Sequence, residues 1–288
     1  MSSELELLKK LRDITGAGIL DCKKYLVRTS NDVDEAVKLM RSEEGIKADK
    51  KSARIAAEGV VFYHYNDNLA MLIEINSETD FVAKSDDFLD YVKKTCDIIS
   101  NSEYKNYDQL HSSNNEVLKN KLETLRKNYV TKLGENIQIR RYELFDRQSA
   151  SVVGYTHNNK IGAIVILKNS DEKLSKDICM QIVASNPLGL DENSIDKEIL
   201  NNEKEVYKAE LDKIDKKEDI KRNIMEGKVK KFISENTLLN QPFIKDSSLN
   251  LKKILKDNEI IYFKRYQLGE GIDKKKEDFA EEVYNQIK

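Results

Sequence analysis

The sequence predicts an α+β protein, and three observations carry that expectation. Apolar residues recur at helical spacing in three short N-terminal segments. The order strand, polar turn, apolar strand, helix occurs twice, from Ala56 and again from Val152, which predicts two α+β subdomains with antiparallel sheets. After Pro187, two long charged segments each keep one narrow apolar stripe, the pattern of a protruding antiparallel helical hairpin. At 288 residues the chain has room for about two domains and a sizeable core.

Charge balance narrows the function classes. Lys and Arg number 49 against 51 Asp and Glu, leaving a formal net charge of -2 on a chain that is 35% charged. Nucleic-acid phosphates favour a basic patch and a high isoelectric point, so no direct nucleic-acid contact is expected and a protein partner fits better. Cys22, Cys96 and Cys179 are far apart and form no Cys-x-x-Cys pair, which points to a reducing compartment. His64, His111 and His157 have no ligand spacing, so no metal is expected. No segment approaches the roughly 18 apolar residues of a membrane span. The opening, with Glu4 and Glu6, has neither a signal-peptide nor a transit-peptide pattern, and a cytoplasmic chain is expected.

Taken in order, Glu4 to Ile14 is an amphipathic helix with Leu5, Leu8 and Leu11 or Leu7 inward, broken by Thr15-Gly16-Ala17-Gly18. That turn follows a helix and lacks Gly-Lys-Ser/Thr, so it fails as a phosphate loop and reads as a turn that needs positive φ. Ile19 to Arg28 is the second helix, and a third begins at Asn31–Glu35, with Asp32 and Glu35 at capping-box spacing. Residues 1–45 thus form a small bundle. Residues 46–55, basic and without apolar periodicity, read as a linker.

Gly59 to Tyr65 and Leu69 to Ile75 read as a hairpin, and Asn76-Ser77-Glu78 ends its second strand. Thr79 or Asp80 can N-cap the next helix. Phe81 lies seven residues before Phe88, almost two full turns, so spacing alone puts it on the same core-facing stripe and makes Asp80 a cap. Asn114 to Leu133 is a Lys/Leu helix stopped at Gly134, and Ile137 to Phe145 a strand; the first subdomain spans 56–145. The second, 146–288, holds the hairpin Val152–Leu167, a helix from about Glu172 to Ala184, the helical hairpin at about 190–236, and a C-terminal module at about 265–288 ending in a helix. Gly269-Glu270-Gly271 has Lys274 where a dinucleotide fingerprint needs its third glycine. No acid-base pair, activated nucleophile or phosphate cradle has recognisable spacing, so neither an enzyme nor a cofactor is expected.

Several stretches resemble the elongation factor Ts family. Thr79-Asp80-Phe81-Val82-Ala83-Lys84 after an apolar strand is similar to its TDFVAK signature. The run LRDITGAGILDCKK from Leu11 is similar to its LRxxTGAGxxDCKKAL opening, and KLGENIQIRR from Lys132 to its KxGENIxIRR segment. Gln241-Pro242-Phe243-Ile244 resembles GQPFV, with Asn240 and Lys245 departing from the pattern, and the Gly269–Gly271 turn resembles the VGEGIEK ending.

The resemblance implies an N-terminal UBA-like domain and a nucleotide exchange factor that acts by binding elongation factor Tu, GDP-bound or nucleotide-free. It implies that Thr79, Asp80, Phe81 and Val82 form the tip that disturbs the partner's Mg2+ site, with Phe81 as the wedge. Arg12, Ile19, Leu20, Lys23, Lys51, Leu133, His157, Phe243 and Ile244 become partner contacts, and the helical hairpin can serve in a homodimer or a 2:2 complex. The residues themselves leave two other readings open: an RNA-binding or translation-associated adaptor using the Lys-rich helices, and a scaffold built on the helical hairpin.

Overall fold

A computed structural model describes residues 4–148 and 151–273. They divide into two compact units, one made of residues 4–64, 73–144 and 267–273, the other of 65–72, 145–148 and 151–266. Mixed helix and antiparallel sheet bear out the α+β class.

The first unit opens with α1 (Glu4–Thr15), α2 (Ile19–Arg28) and α3 (Val33–Lys51). Leu11, Cys22, Tyr25, Leu26, Ala36 and Met40 bury against one another as their core. The Asp32 side chain caps α3 by accepting the Glu35 N–H at 2.9 Å. Leu5, expected inward, is 77% exposed; six positions before Leu11, it sits about 240° around the helix from that core residue.

The expected linker is also corrected, because α3 continues through it to Lys51 and packs along a later helix, α7 (Glu116–Leu133). Polar contacts replace the apolar stripe there. Lys127 Nζ bonds Asp49 Oδ2 at 2.9 Å, Lys51 Nζ donates to the Gly134 carbonyl at 2.7 Å, and Ala48 fills the gap. Contacts of this polar kind leave no hydrophobic period to read in the sequence.

Between α3 and α7 come β1 (Glu58–Tyr65), β2 (Leu69–Ser77), α4 (Asp80–Ala83), α5 (Asp86–Ser100) and α6 (Tyr107–Ser112); β3 (Ile137–Asp146) follows α7. The sheet runs β1-β2-β3. Its central strand is buried from Ala70 to Ser77, and α5 buries Phe88, Tyr91, Val92, Cys96 and Ile99. Each buried Met, Leu, Ile, Val or Phe side chain among them contributes about 1.5–3 kcal/mol of transfer free energy. Inside β2 the fully buried Glu74 carboxylate meets Arg140 at 2.8 Å, Arg141 at 2.6 Å and the Gly269 N–H at 2.8 Å. That network explains why residues 267–273 group with the first unit and not with the second, where sequence order had put them.

The second unit contains β4 (Ser151–His157), β5 (Ile161–Leu167), α8 (Glu172–Ser185), α9 (Lys197–Asp212), α10 (Glu218–Asn236), β6 (Pro242–Phe243), β7 (Asp246–Asn250), α11 (Leu251–Leu255) and β8 (Ile260–Gln267). β4 and β5 pair antiparallel from Ser151↔Leu167 to His157↔Ile161, with Asn158 and Asn159 at positive φ in the turn, and β8 joins β5. α8 packs on this sheet around Ala163, Val165, Ile178, Cys179 and Ile182. α9 and α10 fold back on each other; Lys228 pairs with Glu210 and sits 4.9 Å from the Tyr207 ring. The expected last helix lies outside the described residues.

Candidate functional site

After β2 the chain forms two helices, α4 and α5, where sequence spacing would place one. Thr79, extended at φ -122°, ψ 157°, caps α4, its Oγ1 accepting the Val82 N–H at 3.3 Å. Six residues later Ser85 caps α5 by accepting the Phe88 N–H at 3.3 Å. The second cap breaks the seven-residue stripe. Phe88 is fully buried, whereas Phe81 is 82% exposed and Val82 half-buried, so the core reading of Phe81 is overturned. An exposed phenylalanine forgoes about 1.5–3 kcal/mol of burial, a reserve that a partner surface can recover.

The turn that carries this ring is pinned from the segment after α7. Gly134 ends α7 in the left-handed conformation, at φ 80°. Glu135 then accepts both the Thr79 N–H, at 2.9 Å, and the Thr79 hydroxyl, at 2.6 Å. Reciprocally, Glu78 accepts the Asn136 N–H at 2.6 Å, with Arg54 3.5 Å away, and the buried Asn136 amide donates to the Arg54 carbonyl at 2.9 Å. Asp80 lies at the positive end of α4 and pairs with Lys84 at 2.6 Å. Glu78 and Asp80 therefore serve separate structural bonds and form no acid-base pair.

A second exposed apolar patch opens α2. Gly16 takes φ +66° and donates its N–H to the Arg12 carbonyl at 2.7 Å; the Thr15 hydroxyl bonds the Leu11 carbonyl at 2.7 Å and accepts the Ala17 N–H at 3.3 Å. Cys22 is buried beneath this turn, its thiol 3.7 Å from the Ala17 carbonyl, and burial pushes its pKa up, as expected for a packing residue. The turn presents Ile19 at 51% and Leu20 at 83% exposure, flanked by exposed Arg12 and Lys23. A Cβ on Gly16 would come within 3.0 Å of the Lys132 methylenes, and the Lys132 ammonium bonds Asp87 of α5 at 2.6 Å. Both patches in this unit thus rest on the end of α7. Leu133 there is half-buried.

Of the remaining expected contacts, Lys51 has its ammonium on the Gly134 carbonyl. In the second unit, His157 is exposed beside its hairpin turn, 3.3 Å from Tyr155 Oη, and Ile244 is 46% exposed. Phe243 is corrected: at 7% exposure it belongs to the core with Leu238, Leu251 and Ile260. Lys245 pairs with Asp177 at 2.5 Å. Among the described residues no His/Cys/Asp/Glu cluster could hold a metal, and no helix is long and apolar enough to cross a membrane. Sequence reasoning missed the joint action of Glu78, Lys132 and Glu135; for Lys132 and Glu135, their place in the KLGENIQIRR stretch was the available signal.

Comparison with known proteins agrees with these motifs. The family profile described as Elongation factor TS matches residues 78–270. Elongation factor Ts of Thioalkalivibrio sulfidiphilus is 38% identical, covering all of this chain and 99% of that protein. That of Alkalilimnicola ehrlichii is 40% identical over 100% and 99% of the two chains, and that of Legionella pneumophila strain Lens 39% over 98% and 97%. Full-length similarity at this level, together with the matched profile, means that the chain belongs to the elongation factor Ts family of translation elongation factors.

Proposed function

We propose that this chain binds elongation factor Tu·GDP and speeds GDP release, leaving a nucleotide-free complex that incoming GTP resolves. The single observation that carries this reading is the exposed Phe81 ring on a turn fixed from two sides. A flexible aromatic would lose entropy on insertion, whereas a ring on a pinned helical turn is already oriented. Phe81 wedges between partner side chains beside the Mg2+ site, and Asp80, Thr79 and Val82 shape the tip. Disturbing the metal shell removes much of the charge neutralisation that holds the GDP phosphates.

Ile19 and Leu20, with Arg12 and Lys23 around them, dock on the partner's nucleotide-binding domain. Leu133, His157 and Ile244 are further contacts. Linkage makes the action reciprocal: a factor that weakens nucleotide binding is itself displaced when nucleotide returns.

Stopped-flow release of fluorescent GDP from elongation factor Tu tests the reading. Wild type accelerates release, and Phe81→Ala loses about 2–4 kcal/mol of that effect, on the order of 30-fold or more, as for an aromatic anchor. The unfolding free energy of Phe81→Ala stays within about 0.5 kcal/mol of wild type, because an exposed ring stabilises little. No acceleration by folded wild type would return the problem to the RNA-adaptor and scaffold readings, which salt-dependent RNA binding and concentration-dependent association separate.

A further inference from the structure

We infer that Glu135 is a positioning residue for exchange, aiming Phe81 by holding both donors of Thr79 in one carboxylate. The inference rests on the exchange reading above. Thr79 is the last extended residue before α4, so its orientation decides where the next side chains point. Its hydroxyl has one proton to give and lone pairs to accept with. Glu135 takes the proton at 2.6 Å, which turns a lone pair toward the Val82 N–H, 3.3 Å away. The same carboxylate takes the Thr79 N–H at 2.9 Å. Two charge-assisted bonds to one residue fix both its backbone and its side chain.

Glu135 is itself placed without slack. Gly134 in the left-handed conformation ends α7 immediately before it, and the following N–H, that of Asn136, is held by Glu78 at 2.6 Å. Two carboxylates therefore cross-link residues 78–79 to residues 135–136, one from each side. Glu135 touches no reacting atom in this scheme. It acts through the direction of the Phe81 ring.

Three proteins, Glu135→Ala, Glu135→Gln and Glu135→Ala combined with Phe81→Ala, are compared with wild type and Phe81→Ala in release of fluorescent GDP, over a range of factor concentrations. Glu135→Ala lowers the maximal release rate about tenfold or more, as the loss of a charge-assisted pair predicts, while the half-saturating concentration moves by less than about threefold because the Ile19–Leu20 patch is intact. Glu135→Gln, which keeps one acceptor, falls between. Adding Glu135→Ala to Phe81→Ala produces no further loss, since there is no ring left to aim.

Wild-type maximal rates in both Glu135 variants overturn the inference, as does a loss that adds in full to that of Phe81→Ala, which would make Glu135 a separate contact. If Glu135→Ala does not fold, Glu135→Gln decides, alone and combined with Phe81→Ala. Failure of wild type to accelerate release defeats the exchange reading instead, so the two failures are distinct.

Discussion

Phe243 and Ile244 are adjacent in sequence and have opposite fates. The first is core and the second is 46% exposed. Phe243→Ala should cost about 3–5 kcal/mol, the range for a buried phenylalanine, and Ile244→Ala less than about 0.5 kcal/mol, as for most surface positions. Urea unfolding followed by circular dichroism measures both, and equal costs would refute the division. At this scale the sequence was legible where chemistry is local. The left-handed Gly16 and the Asp32 cap follow from residue type. Phe81 was not legible by spacing, since a seven-residue interval implies one stripe only if one helix spans it. Ser85, a second cap residue six positions after Thr79, marks the break.

At the scale of elements, α2 and α3 are tied at their surface by Arg28 and Glu43, whose guanidinium and carboxylate meet at 2.8 Å with Tyr25 also donating to Glu43. The Arg28 hydrogen bonds hold the Glu43 pKa at about 2, below its ordinary 4.5. A depressed carboxylate contributes stability that is complete above pH 4.5 and fades as pH falls toward about 2. The melting-temperature gap between wild type and Arg28→Ala should therefore narrow as pH falls from about 6 to about 3, and should narrow with added salt because the pair is exposed. A gap that widens on acidification would contradict this assignment. Elements whose contacts are apolar were readable from the sequence, β2 and α5 above all. The last turns of α3 were not, because Asp49 and Lys51 dock by charge and leave no period to detect.

For the whole molecule, the sequence conveyed two α+β subdomains and a helical hairpin, but not that residues after β8 group with the first unit. The cause is Glu74, one carboxylate in an apolar strand, which besides nearby Asn76 bonds residues 66, 67 and 195 positions away. No local pattern announces a contact of that range. Because the Glu74 carboxylate is fully buried and bonds two partly exposed arginines, Glu74→Ala and Arg141→Ala should both destabilise the protein, Arg141→Ala by less because Arg140 and the Gly269 N–H still hold the carboxylate. Chemical denaturation of the two single variants and the double variant should show strong coupling between them.

The same network bears on the order of events during synthesis. A ribosome delivers Arg140 and Arg141 soon after Glu74, but Gly269 only after the entire second unit has been made. The second unit is contiguous from Phe145 to Tyr266 apart from the hairpin tip that precedes it, and its strands and helices can assemble as they emerge. The first unit begins first and closes last. A nascent chain stalled before Gly269 holds its buried glutamate with side-chain partners alone, so resistance to protease in the first unit should rise in a further step once Gly269 has left the exit tunnel.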